Sequence, residues 1–293
     1  MLFRSSFGQA WAALAQVASL SGDSCEAFEL IVRGFSVSRT MPNWGLTGLV
    51  EEGNKCGRLD DAEEVLEQLR PRYENDSAFH AALGLAAAAG GGLEEALAHH
   101  RRALEIDPLD QLANEETVAL LRRLGREREA RRFLDQSFER ARGKVTAMNQ
   151  LAVVALRQGW SADAERLLGR VLESDPGNPG VLANLAAAQM RQGKRDQAVA
   201  TMREAVERDP NNGRNHFNLG AMLAEEGRTA EALAAFEAAV ANGLRSSQVH
   251  IAAAKMHFRL GDQAASAREL EKALALDPGN NEAAQMLAAL RSG

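Results

Sequence analysis

Aromatic residues are scarce in this chain, at 5% of 293 positions, and its β-branched residues never alternate over a strand-length run. A half-buried sheet needs that alternation, so sheet classes are set aside. Proline occurs only seven times, which leaves long stretches free to be helical. Cysteine occurs twice, at Cys25 and Cys56, with neither the number for a disulfide framework nor a metal-ligand spacing. Two free thiols in a reducing compartment are the plainer expectation. A basic excess is also missing: the formal net charge is −6, which argues against nucleic acid as a partner. No apolar run approaches the roughly 20 residues that span a bilayer, so no membrane insertion is expected.

What the chain has is helix-forming apolar content. Hydrophobic residues make up 45% of it, mostly Ala and Leu. The class expected is all-α. One stretch invites a targeting reading: Arg4 precedes the mildly apolar Ala10 to Leu20. Trp11, Gln9 and Gln16 make it a poor signal core, so the expected location is cytoplasmic. A periplasmic or exported protein is the alternative, should this N-terminus act as a weak signal.

Glycine supplies the organising feature. It recurs at Gly22, Gly57, Gly91, Gly125, Gly159, Gly193, Gly227 and Gly261, first after 35 residues and then every 34. Five residues after each stands Ala27, Ala62, Ala96, Ala130, Ala164, Ala198, Ala232 and finally Ser266. Numbered from 1 in each repeat, position 7 reads Leu14, Leu49, Leu83, Thr117, Leu151, Leu185, Leu219 and Ala253. Position 8 reads Ala15, Val50, Gly84, Val118, Ala152, Ala186, Gly220 and Ala254. Positions 4, 7, 8 and 11 share one stripe of a first helix, and positions 20, 24 and 27 one stripe of a second. Small residues at 8 and 20 let the two helices approach closely. The glycine at 15 permits the turn between them. In the motif Asp175-Pro176-Gly177-Asn178, the last residue is placed to cap the next helix, as are Asp110, Asn212 and Asn280.

A two-helix period of 34 with these positions resembles the tetratricopeptide repeat family. The resemblance implies a right-handed superhelical solenoid of about eight helix-turn-helix repeats. These are expected at 8–42 (degenerate), 43–76, 77–110, 111–144, 145–178, 179–212, 213–246 and 247–280. Residues 1–7 form an N-terminal extension and 281–293 a capping helix.

Catalysis finds little purchase. His80, His216 and His250 fall at position 4, His257 at 11 and His100 at 24, all packing positions, and only His99 lies off the stripe. His216 and His250, equivalent in successive repeats, are expected to stack. Gly90-Gly91-Gly92 lacks the Lys-Ser/Thr of a phosphate loop and falls where every repeat turns. No Ser-His-Asp or Cys-His arrangement stands out. The expectation is no enzyme, no cofactor and no metal.

The resemblance also implies a concave groove lined by the first helix of each repeat, chiefly at positions 2, 5, 6, 9, 12 and 13. In repeats 5 to 8 these positions include Arg157, Arg191, Arg214, Lys255 and Arg259, with Phe217 and Phe258, and Glu225 opposing. Position 5 is never Lys, so the family's dicarboxylate clamp is not expected. Gln150, Asn184 and Asn218 stand at position 6 of three successive repeats, where amides can pair with the main chain of an extended peptide. The plainer account of the same residues is a solvated helix face. The function expected is a non-catalytic scaffold or adaptor that binds an extended, acidic protein segment in this groove. Two alternatives stand beside it. One is a regulatory or docking array of a larger enzyme. The other is an assembly subunit that self-associates through Leu2, Phe3 and Phe7 at the N-terminal end.

Overall fold

The computed structural model describes residues 3–38, 41–42 and 44–292, with the backbone alone for 3–7 and 292. Helices α1 to α8 span Phe3–Leu20, Ser24–Val37, Trp44–Lys55, Leu59–Tyr73, Ser77–Ala89, Leu93–Ile106, Gln111–Arg123 and Glu127–Arg140. Helices α9 to α13 span Val145–Arg157, Ser161–Ser174, Pro179–Arg191, Arg195–Arg208 and Gly213–Glu225. Helices α14 to α17 span Thr229–Ala241, Ser247–Arg259, Gln263–Leu276 and Asn281–Ser292. Among the described residues there is no strand. The chain forms two compact bodies, Met1–Val154 and Ala155–Gly293.

One turn design is used eight times. Each register glycine ends the first helix of its pair with φ between +74° and +89°, a conformation that a Cβ opposes. The residue after it donates its N–H to the carbonyl five residues back, as in Arg58 to Gly53 (2.7 Å) and Lys194 to Gln189 (3.0 Å). That bond closes the last turn of the helix and reverses the chain within three residues.

The opposite ends of the pairs are closed by side chains. Asn178 accepts from the N–H groups of Gly180 and Val181, and Asn212 from those of Arg214 and Asn215. The amides of Asn178, Asn212 and Asn280 donate to Asp175, Asp209 and Asp277 at 2.7, 3.1 and 3.1 Å. The Asp-Pro-x-Asn motif is therefore a rigid joint, in which the Asp holds the cap residue in place.

The alanines at position 20 are fully buried in all seven repeats that carry one. Ser266, in the eighth, is buried too, and its hydroxyl donates to the Ala254 carbonyl at 2.9 Å. A methyl-sized residue is what two helix backbones at close approach can hold. Position 8 is tighter still in two repeats, though others hold a buried valine there: a Cβ on Gly84 would lie 2.5 Å from His100 Nε2, and one on Gly220 2.6 Å from Phe236 Cε1.

Two expectations are corrected. Cys25 and Cys56 are not free thiols but a disulfide, with Cα atoms 5.1 Å apart and a sequence separation of 31. Helix α2 packs against α3. The two run in opposite directions, so the start of one meets the end of the other, and sequence spacing does not display that adjacency. The histidine stack is the second correction. His216 Nε2 meets the Pro210 carbonyl at 2.8 Å, and His250 Nδ1 meets Glu269 at 2.7 Å. His250 is thus anchored within its own repeat, and His216 on the loop that leads into it. His80 stacks instead on His99, at 6.3 Å between centroids. The side chains of Leu2, Phe3 and Phe7 lie outside the described residues.

Candidate functional site

The expected groove residues do not all lie in one body. Gln150 belongs to the first, on α9, and its amide donates to Gln111 Oε1 at 2.8 Å. It is already partnered within that body. The rest of the set lies in the second body, on the last turn of α9 and on α11, α13 and α15.

The structure gives the cations of that set different jobs. Arg191 Nη1 donates to the Leu156 carbonyl at 2.5 Å, and Arg259 Nη1 to the Ala224 carbonyl at 3.4 Å. Both carbonyls occupy position 12, in the last turn of a neighbouring first helix, where helix ends offer acceptors. These two arginines therefore tie one repeat to another while keeping exposed surface. Lys255 pairs with Glu282 of the capping helix at 2.7 Å. Arg157 is exposed and Asn184 half-buried, and each has an interaction partner. Arg214 is exposed and makes no ion pair among the described residues.

Between α13 and α15 lies a mostly apolar cleft, with Phe217, Ala221, Phe236, Ile251, Ala252 and Met256 among its lining. Phe217 packs on the buried Phe236 with ring centroids 5.6 Å apart, which fixes the wall of the cleft. Gln248, Lys255, Arg259, Glu225 and Glu282 also line it. Phe217, Lys255 and Arg259 are expected groove residues, and Ile251 and Ala252 stand at groove positions 5 and 6 of repeat 8, whereas Glu282 was not anticipated. The signal for Glu282 was its place at position 2 of the incomplete ninth repeat, one of the groove positions. Phe258, at position 12 of α15, stands 53% exposed, an unusual state for so large an apolar side chain.

The matching positions of the first body have a different chemistry. Glu116, on α7, is held above the usual carboxylate range, first by burial and then by the charges of Glu115 and Glu51. Among the described residues no group of His, Cys, Asp or Glu is arranged to hold a metal ion. None of their helices is long and apolar enough to cross a membrane.

Comparison with known proteins bears on the fold. No curated protein sequence matches the chain. Solved structures with similar folds include the APC/C hetero-tetramer Cut9-Hcn1, at TM-score 0.50 and 13% identity. That match covers 96% of this chain and 55% of the other, so the chain spans about half of that relative. The human IFIT1 dimer with PPP-AAAA matches at TM-score 0.50 and 15% identity, over 95% of this chain and 79% of that one. YrrB, a TPR protein with an unusual peptide-binding site, aligns at TM-score 0.42 and 16% identity, over 78% and 98% of the two chains. At these identities the likeness concerns the fold alone. Two family models, each described as tetratricopeptide repeat, match residues 155–223, and 56–110 with 226–281. Repeats of this kind bind protein or peptide partners and serve as interaction scaffolds. With more than half of its length matched, the chain belongs to the tetratricopeptide repeat family.

Proposed function

We propose that the protein is a non-catalytic adaptor that binds an extended acidic segment of a partner protein in the groove of repeats 6 to 8. The cleft between α13 and α15 carries this reading. Its floor is apolar, Lys255 and Arg259 stand at it, and Asn218 lies on the same helix as Phe217. An apolar side chain of the partner fits the floor, and neighbouring carboxylates meet the cations. Lys255 and Glu282 are each about half exposed in their ion pair, at 44% and 55%. A pair so open to water holds weakly, so an incoming carboxylate can take Glu282's place. The amides of Asn184 and Asn218 would add main-chain hydrogen bonds along the segment.

Titration of the full chain with acidic and basic peptide pools tests this. Acidic peptides should bind preferentially, and Lys255→Ala with Arg259→Ala should abolish the preference. Equal binding of both pools defeats the reading. Binding unchanged by Asn184→Ala with Asn218→Ala removes the amide ladder but leaves the cleft. The Cys25–Cys56 disulfide supports an oxidising compartment over the cytoplasm, because cytosolic thiols are kept reduced.

A further inference from the structure

The N-terminal helix differs from every other first helix in one respect. Positions 3, 7 and 10 form the stripe by which a first helix packs toward the preceding repeat. They are buried in repeat 3, as Phe79, Leu83 and Ala86, and in repeat 8, as Val249, Ala253 and Met256. In α1 the same positions are Ala10, Leu14 and Val17, and all three are exposed, Leu14 at 54% and Val17 at 65%. Leu20, one turn further on, is 83% exposed. The opposite face of α1 is in order: Ala12, Ala15 and Ala18 are buried. The helix is thus correctly seated on its own repeat and offers an inter-repeat packing stripe that nothing in the described chain covers.

Three observations say what fits there. The stripe is free of charge: no Asp, Glu, Lys or Arg occurs from Ser5 to Ser21, in a chain where 25% of residues are charged. A charged partner surface would lose hydration there without gaining an ion pair. Second, among the described residues no other helix exposes three large apolar side chains on one stripe. The surface of this chain that best matches the stripe is the stripe itself. Third, two copies of a chain with net charge −6 repel, least of all where their contact is neutral. Exposed Gln9 and Gln16 flank the stripe, and an amide can pair with another amide across a two-fold axis.

We propose that α1 is a dimer face, on which the Ala10–Leu14–Val17 stripe packs antiparallel against the same stripe of a second copy about a two-fold axis near Leu14. Such an arrangement is closed, because one patch serves both partners and no further copy can add. None of its residues lines the cleft between α13 and α15, so it does not rest on the peptide-binding proposal.

Sedimentation equilibrium of the full chain over a concentration series tests it. The wild type should move from the mass of one chain to that of two, and no further. Leu14→Glu and Leu14→Lys should each sediment as one chain with wild-type helix content, since the side chain replaced is solvent-exposed. An equimolar mixture of the two should restore the two-chain mass, because opposite charges then meet at the axis. A wild-type mass of one chain at every concentration overturns the proposal. So does a two-chain mass that both variants keep, or growth beyond two chains. A monomer that floats with neutral phospholipid vesicles through Leu14 would assign the stripe to a lipid surface instead, which also overturns it.

Discussion

His100 shows how the repeat lattice disposes of a titratable side chain. It stands at position 24, fully buried, against a glycine that leaves room for its ring. Neither ring nitrogen has a hydrogen-bond partner. Burial, and then the neighbouring His99, lower its pKa from 6.5 to about 4. The unfolded chain therefore takes up this proton near pH 6.5, while the folded chain resists until about pH 4. The stability owed to neutral His100 is complete above pH 6.5 and is lost as pH falls through that window. The difference corresponds to about 3 kcal/mol. Urea unfolding at neutral pH and near pH 4 should show His100→Leu losing less stability on acidification than the wild type. An identical loss in both proteins would show that His100 is not the group responsible.

At the scale of elements, the turn glycines, the capping residues and the buried alanines were legible in the sequence because each acts through its own backbone or a helix next to it in the chain. Gly57 needs only its positive φ, and Asn178 only the helix that follows it. What was not legible depends on side chains meeting across repeats: Arg191 on the Leu156 carbonyl, Gln150 on Gln111, and Cys25 on Cys56. A period fixes which positions recur but not which long side chain bends toward which neighbour. The disulfide joins the least regular repeats, where such support matters most. Closing a loop of 31 residues stabilises a fold by roughly 3–4 kcal/mol in the chain-entropy account. Buried Glu52 lies in the turn of helix before Cys56 and works in the same region. Burial alone would raise its pKa, but hydrogen bonds from Lys55, Ser24 and Ser19 outweigh that and keep it ionised. Reduction, or Cys25→Ser with Cys56→Ser, should lower the protection of amides in α1 to α3 against hydrogen exchange. Unchanged protection there would mean that packing alone holds the first two repeats together.

For the whole molecule, the consequence of a repeat lattice is that stability is local. Helices of this chain touch mainly the next helix in sequence, so each pair is supported by its neighbours and by little else. The cohesion of such a chain is a sum of similar joints, and damage to one joint should stay near it. Gly220 offers a clean test, because a Cβ there would lie 2.6 Å from the ring of Phe236, which is 2% exposed and has no room to move. Overpacking of this kind costs roughly 1–3 kcal/mol. Gly220→Ala should therefore speed amide exchange in α13 and α14 most, in α12 and α15 less, and in α3 to α6 not at all. A uniform acceleration along the chain would show instead that the protein opens as one cooperative block. The local outcome has a functional side. The cleft between α13 and α15 lies at the damaged joint, so the same variant should weaken acidic-peptide binding while the disulfide-linked repeats keep their exchange protection.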